Sequence, residues 1–144
     1  MAERVTVAAI STEVDMKRAW AIRREVFIEE QGVPEDVELD ADDHRALHAL
    51  ALWNGEAVGC GRMVAEGEHV KIGRMAVLRE KRGYGVGRHV LNFLLDRARE
   101  KGFRQAVLHA QLTAEGFYLK HGFVPRGDVF EEAGIMHREM TLQL

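Results

Sequence analysis

Three glycines at alternate positions, Gly83, Gly85 and Gly87, constrain this chain more than any other feature. They stand in the stretch Met75 to Arg88, where an apolar run ends, a short charged loop follows and a long helical pattern begins. Glycine at a loop-to-helix junction lets the main chain approach a ligand closely, because no Cβ intervenes. The first helical turn beyond it offers unpaired N–H groups and the positive end of the helix dipole, a setting suited to phosphate. Arg82 and Arg88 add full positive charges on either side. A P-loop would need a lysine after the last glycine, followed by Ser or Thr, and none is there. A dinucleotide fingerprint would read Gly-x-Gly-x-x-Gly in the first strand–helix turn of its domain. Here the glycines run Gly-x-Gly-x-Gly after several strands, and the pattern that fits is Arg82-x-x-Gly85-x-Gly87.

At 144 residues the chain is the size of one domain and long enough to bury most of its apolar surface. Its 20 basic and 23 acidic side chains leave a net charge of -3, which argues against duplex nucleic acid as a partner. The single cysteine, Cys60, has no partner for an internal disulfide, so nothing points to an oxidising compartment. The N-terminal residues hold no apolar core of signal-peptide length, and no run approaches about 18 apolar residues. A cytoplasmic domain without a membrane segment is expected.

Residues 5–10 suit a strand, and Ser11 or Thr12 supplies an N-cap, with Glu13 and Asp15 favouring the helix dipole. Val14, Ala19, Ile22 and Val26 recur at near-helical spacing, predicting a helix to about Phe27. Gly32-Val33-Pro34 stops it. Residues 47–53, 56–64 and 69–77 read as a three-strand meander, turned first by Asn54-Gly55, a strong hairpin signal. The helix after the glycine loop carries Val90, Leu91, Leu94, Leu95 and Ala98 on one face, so that side packs on a sheet. A strand over 105–110, a short helix over 114–121 and strands from Phe123 and Ile135 complete the order. The whole is an α/β chain of the α+β kind with a mixed sheet, one domain over residues 1–144.

From Glu29 to Asp43 eight carboxylates follow one another with no basic residue between them. Most belong to a solvated loop, although such a density of charge also attracts cationic substrates. His44 and His48 have metal-ligand spacing on a helix, but the pattern there favours loop and then strand, and no His-Glu-x-x-His stands with them. The other histidines form no ligand pattern, so no metal site is expected. Cys60, between Gly59 and Gly61, reads as a buried thiol.

The element order resembles the fold of the GNAT-type N-acetyltransferases along nearly the whole chain, and three stretches carry the likeness. One is Arg82-Gly83-Tyr84-Gly85-Val86-Gly87 after the strand Ile72-Gly73-Arg74-Met75-Ala76-Val77. A second is Ala114-Glu115-Gly116-Phe117-Tyr118-Leu119-Lys120-His121-Gly122-Phe123, similar to that family's alanine, Phe-Tyr, Gly-Phe segment. The third, residues 23–34, resembles a bacterial subgroup of small acetyltransferases. The resemblance implies direct transfer from acetyl-CoA, without a metal, to a small-molecule or peptide amine. A catalytically silent acyl-CoA sensor on the same scaffold is the alternative. Pantetheine is then expected along Met75, Ala76 and Val77, and the diphosphate on the N–H groups of Arg82, Gly83, Tyr84, Gly85, Val86 and Gly87, with Arg88 starting the helix. Tyr118 is the expected general acid, against a plain role as a core aromatic. Glu30 and Glu29 are the expected proton acceptors, with His44 and His48 competing. The family also leads one to expect a homodimer through the C-terminal strands.

Overall fold

The computed structural model describes residues 5–144. Seven strands form one sheet in the order β1-β2-β3-β4-β5-β7-β6. They are β1 (Val5–Ala9), β2 (Leu47–Trp53), β3 (Glu56–Glu66), β4 (His69–Val77), β5 (Gln105–Gln111), β6 (Val124–Glu132) and β7 (Ile135–Gln143). Neighbours are antiparallel except β4 and β5, which run parallel and therefore need a crossover. That crossover is helix α3 (Val86–Glu100). Helices α1 (Glu13–Arg23), α2 (Glu35–Glu38) and α4 (Glu115–Lys120) complete the set.

Two layers of side chains hold the helices to the sheet. On one face Val86, Val90, Leu91, Leu94, Leu95 and Ala98 of α3 are buried with Ile72, Ala106, Leu108 and Ala110 of the strands. On the other, Ala19, Ile22 and Val26 pack on Leu50, Cys60 and Ala76. Close approach of α3 requires small residues on β3. A Cβ on Gly59 would lie 2.7 Å from Val86 Cγ1 and 3.3 Å from the Ala76 carbonyl, and one on Gly61 2.7 Å from Met75 Sδ.

Parallel pairing of β4 with β5 lasts only from His69↔Gln105 to Ile72↔Leu108. Beyond it β5 stays with β7 as far as Gln111, while β4 follows β3 through an irregularity between Cys60 and Arg62. Opposite that irregularity Arg74 adopts φ 52, left-handed for a non-glycine residue. A bulge bends and twists its strand, and beyond Ile72 and Leu108 β4 and β5 run on unpaired, with a gap between them.

Local structure follows the sequence pattern with two differences. Thr12 caps α1, its hydroxyl accepting from the Asp15 amide at 3.1 Å. Val14, expected on the buried face, is 69% exposed, and Met16 packs against the core from the first turns instead. Nor does the helix end near Phe27: it loosens into a π-helical turn, Arg24–Glu30, with Gln31 N–H reaching Val26 O.

The acidic segment is the larger correction. Arg23, 1% exposed, donates through Nε and Nη2 to the Glu38 carboxylate at 2.9 to 3.1 Å, and through Nη1 to Asp43 at 3.0 Å. Arg62 donates to Asp40 at 2.7 Å and to Asp43 at 2.6 Å. Arg74 joins Glu38 at 2.7 Å and Asp40 at 3.1 Å. Glu38, Asp40 and Asp43 are thus internal counter-charges, and breaking such a buried pair costs roughly 3–5 kcal/mol. Among the described residues no helix is long and apolar enough to cross a membrane.

Two outcomes follow. Gly59→Ala, which forces Val86 and the first turn of α3 off β3, should destabilise by about 1–3 kcal/mol in urea denaturation; an unchanged midpoint would refute the close-packing role. The hydrogen bond from Arg62 holds the Asp40 carboxyl down to about 2, and against the cost of burial Arg23 and Arg62 hold Asp43 below its usual range. A depressed carboxyl contributes stability in full above its unfolded pKa, about 4, and loses it as pH falls through the folded value. Urea midpoints should therefore decline from about pH 4 to about pH 2, and Asp40→Asn should flatten that decline while lowering stability at pH 7. Parallel curves for the two proteins would contradict it.

Candidate active site

The free edge of β4 faces the gap. Leu78 N–H donates to Val58 O at 2.9 Å, and Ala76 sits opposite Cys60, so both turn toward β3. Successive residues of a strand turn their peptide groups to opposite edges, which sets Met75 and Val77 toward the side β5 has left. The Val77 carbonyl accepts from Arg82 Nε at 2.9 Å.

A single 3₁₀ turn, Arg79–Lys81, then carries the chain into the glycine loop. Lys81 N–H bonds to Leu78 O and Arg82 N–H to Arg79 O, so the Arg82 amide, expected among the diphosphate donors, is already engaged. Gly83 and Gly85 both take φ 86, a left-handed conformation that other residues adopt only at a cost. Gly85 is the N-cap of α3, and the first bond of the helix ladder runs from His89 N–H to Gly85 O. The amides of Val86 and Gly87 lie ahead of that ladder. A Cβ on Gly87 would lie 3.6 Å from Phe117 Cζ and 3.8 Å from Val77 Cγ2, placing its backbone between β4 and α4 at the mouth of the gap. The Val86 side chain is core; Tyr84 is exposed and meets Trp53 edge-on at 5.5 Å, with Lys81 Nζ 4.6 Å above the same indole. Arg88 is exposed in the first turn.

Arg82 itself is tied inward. Its two Nη atoms each donate to a Glu30 oxygen at 2.7 Å, and Arg79 lies 3.5 Å from the same carboxylate. Held chiefly by the Arg82 hydrogen bond, the Glu30 carboxyl lies below its usual range. That carboxylate, expected as a proton acceptor, ties the glycine loop to the first helical region. Glu29 is well exposed, with Arg24 Nε 3.8 Å away. Of the competing histidines, His44 is exposed, whereas His48 is buried with Nε2 3.0 Å from Asp43 O, and burial pushes its pKa down. They fall on a 3₁₀ turn and a strand, so their i, i+4 spacing joins no helix face. Burial pushes the Cys60 thiol up to about 12, far from a reactive thiolate.

Tyr118 lies on α4, 7% exposed, edge-on to Phe117 at 5.0 Å and to Phe123 at 5.7 Å. Burial pushes its phenol up to about 12, so it carries its proton at neutral pH. Phe117, the neighbouring ring, is the one against Gly87, which brings α4 up to the glycine loop.

Across the gap stands a group that sequence reasoning missed. Gln111 of β5 and Gln31 exchange amide hydrogen bonds at 2.9 and 3.4 Å. His109, Glu132, His137 and Glu139 gather beside them, with His109 Nδ1 2.9 Å from Glu132 Oε1. The only local signal was alternation: Val107, His109 and Gln111 share the face opposite buried Leu108 and Ala110.

Comparison with known proteins agrees with this geometry. The GNAT acetyltransferase domain family matches residues 7–144. YyaT of Bacillus subtilis (strain 168) is 37% identical over 143 residues, 97% of each chain. YjcF of the same organism, an uncharacterized N-acetyltransferase, is 35% identical over 129 residues, 89% of this chain and 92% of that one. The crystal structure of Escherichia coli ElaA superposes with a TM-score of 0.85 at 26% identity, covering 95% of this chain and 98% of the other. With a parted β4–β5 pair, a left-handed glycine loop at the start of α3 and relatives matched over nearly their whole length, the chain belongs to the GNAT acetyltransferase family.

Proposed function

We propose that this protein transfers the acetyl group of acetyl-CoA to a primary amine by direct attack in a ternary complex. The observation that carries the reading is the gap between β4 and β5, whose β4 edge leads through one 3₁₀ turn into the glycine loop at the start of α3. Pantetheine lies along Met75, Ala76 and Val77, and the diphosphate on the amides of Gly83 to Gly87, with Arg88 beside them. The Met75 amide polarises the thioester carbonyl and holds the oxyanion that forms on attack. Tyr118 is the general acid. Its raised pKa keeps a proton available in a dry setting, and the departing thiolate takes it as the C–S bond breaks. Glu30 serves as the counter-charge that fixes Arg82 and, through it, the loop.

Release of CoA thiol on adding amines separates this enzyme from an acyl-CoA sensor, which binds acetyl-CoA but releases no thiol. Tyr118→Phe should keep the Kd for acetyl-CoA within about twofold while kcat falls by roughly 10²–10⁴; full turnover in this variant would remove the residue from the mechanism. Gly85→Ala puts a side chain at φ 86, a strain of about 1–2 kcal/mol. It should raise the Kd for acetyl-CoA about tenfold in calorimetry, and an unaltered Kd would place the diphosphate elsewhere.

A further inference from the structure

The face of β5, β7 and β6 on the α1 side carries a row of polar groups beyond the helix. Helix α1 lies over β2, β3 and β4. Past it, register sets His109 opposite Glu139, Gln111 opposite His137 and His137 opposite Phe130. His109 is the first residue of β5 after the last one paired with β4, so it stands at the apex of the gap.

Its hydrogen bonds define its chemistry. A carboxylate only accepts, so Nδ1, 2.9 Å from Glu132 Oε1, bears a proton, and Nε2 is the ring nitrogen left to face a substrate. Glu139 Oε1 lies 3.7 Å from Nε2, too far for a hydrogen bond but close enough to favour a cation there. The other Glu132 oxygen is 4.0 Å from His137 Nε2, while His137 Nδ1 donates to Ile135 O at 2.7 Å. The Phe130 ring stands edge-on to His109 at 5.0 Å and stacks with His137. The other charged register positions near His109 on this face are Arg126, opposite Glu139, and Lys71, opposite Val107 one row back. His109 is 24% exposed, so a substrate can reach it.

We propose that the cluster of His109, Glu132, Glu139 and Phe130 is the acceptor subsite of the reaction above, that it takes an aliphatic primary ammonium, and that His109 is its proton acceptor. Resting on that reading, it replaces Glu30 and Glu29 as the base. The acceptor arrives as R–NH₃⁺ beside Glu139, and His109 Nε2 removes one proton. The nitrogen lone pair attacks the thioester carbonyl carbon, the C–S bond breaks, and the thiolate takes the phenolic proton of Tyr118. The second proton lost by nitrogen restores the tyrosine, and the imidazolium returns its own to solvent. The products are an N-substituted acetamide, CoA thiol and one proton. An acceptor with its own carboxylate meets Glu132 and Glu139, and an arylamine brings no ammonium at neutral pH.

The test measures CoA thiol release from acetyl-CoA with 1,4-diaminobutane, glycine and aniline, together with acetyl-CoA binding by calorimetry. Wild type should prefer the diamine. His109→Gln should lower kcat for it about 100-fold and remove the rising limb of the pH–rate profile, with activity returning as pH approaches the amine pKa. Its acetyl-CoA Kd should be unchanged. Glu139→Gln, at a half-exposed position that tolerates the change, should raise KM for the diamine with little effect on kcat. Preference for glycine or aniline, a retained limb in His109→Gln, or an unchanged KM in Glu139→Gln would each overturn the subsite while acetyl transfer stands. Failure of the wild type to bind acetyl-CoA would overturn the parent reading first.

Discussion

The parting of β4 from β5 is the constraint around which the described architecture is arranged. Two parallel strands that stayed paired would satisfy one another's peptide groups and leave none free. After Ile72 and Leu108 they separate, and the peptide groups of Met75 and Val77 are turned toward the space between. The parting is enforced from both sides. β5 is held by β7 through to Gln111, while β4 is bent by the bulge at Arg74. The guanidinium of Arg74 is anchored on Glu38 and Asp40, so a left-handed residue that would otherwise relax is held by its own side chain.

Charge does the remaining positioning, and the decisive pairs are internal. Arg23, Arg62 and Arg74 absorb Glu38, Asp40 and Asp43, which pins the segment after the π-helical turn against β3 and β4. Arg82 absorbs Glu30 and ties the glycine loop to that same turn. Glu29, Glu35 and Asp36 of the same segment stay exposed at the surface. Glu132 and Glu139, which flank His109, come from the C-terminal strands.

Much of this could be read from residue order, and the reason differs from place to place. The β2–β3 hairpin was legible because Asn54-Gly55 forces its turn within four residues. Helix α3 was legible because its apolar stripe repeats without a break and faces a sheet of matching pattern. The π-helical turn was not, since an extra residue in a helical turn leaves no mark on a 3.6-residue pattern. Nor was the burial of Glu38, whose arginine partners come from α1 and β4, 15 and 36 residues away. His109 and Glu132 stand 23 residues apart and meet only because β6 folds back beyond β7.

Residue order by itself therefore determined the family's scaffold and the glycine loop, because both rest on local chemistry: periodicity, turn residues and glycines that must turn left-handed. Tertiary structure alone decided which charges are paired inside the protein and which stay at its surface. A carboxylate's role depends on what lies within about 4 Å of it, and neighbours at that range are chosen by strand register and helix docking, not by position along the chain.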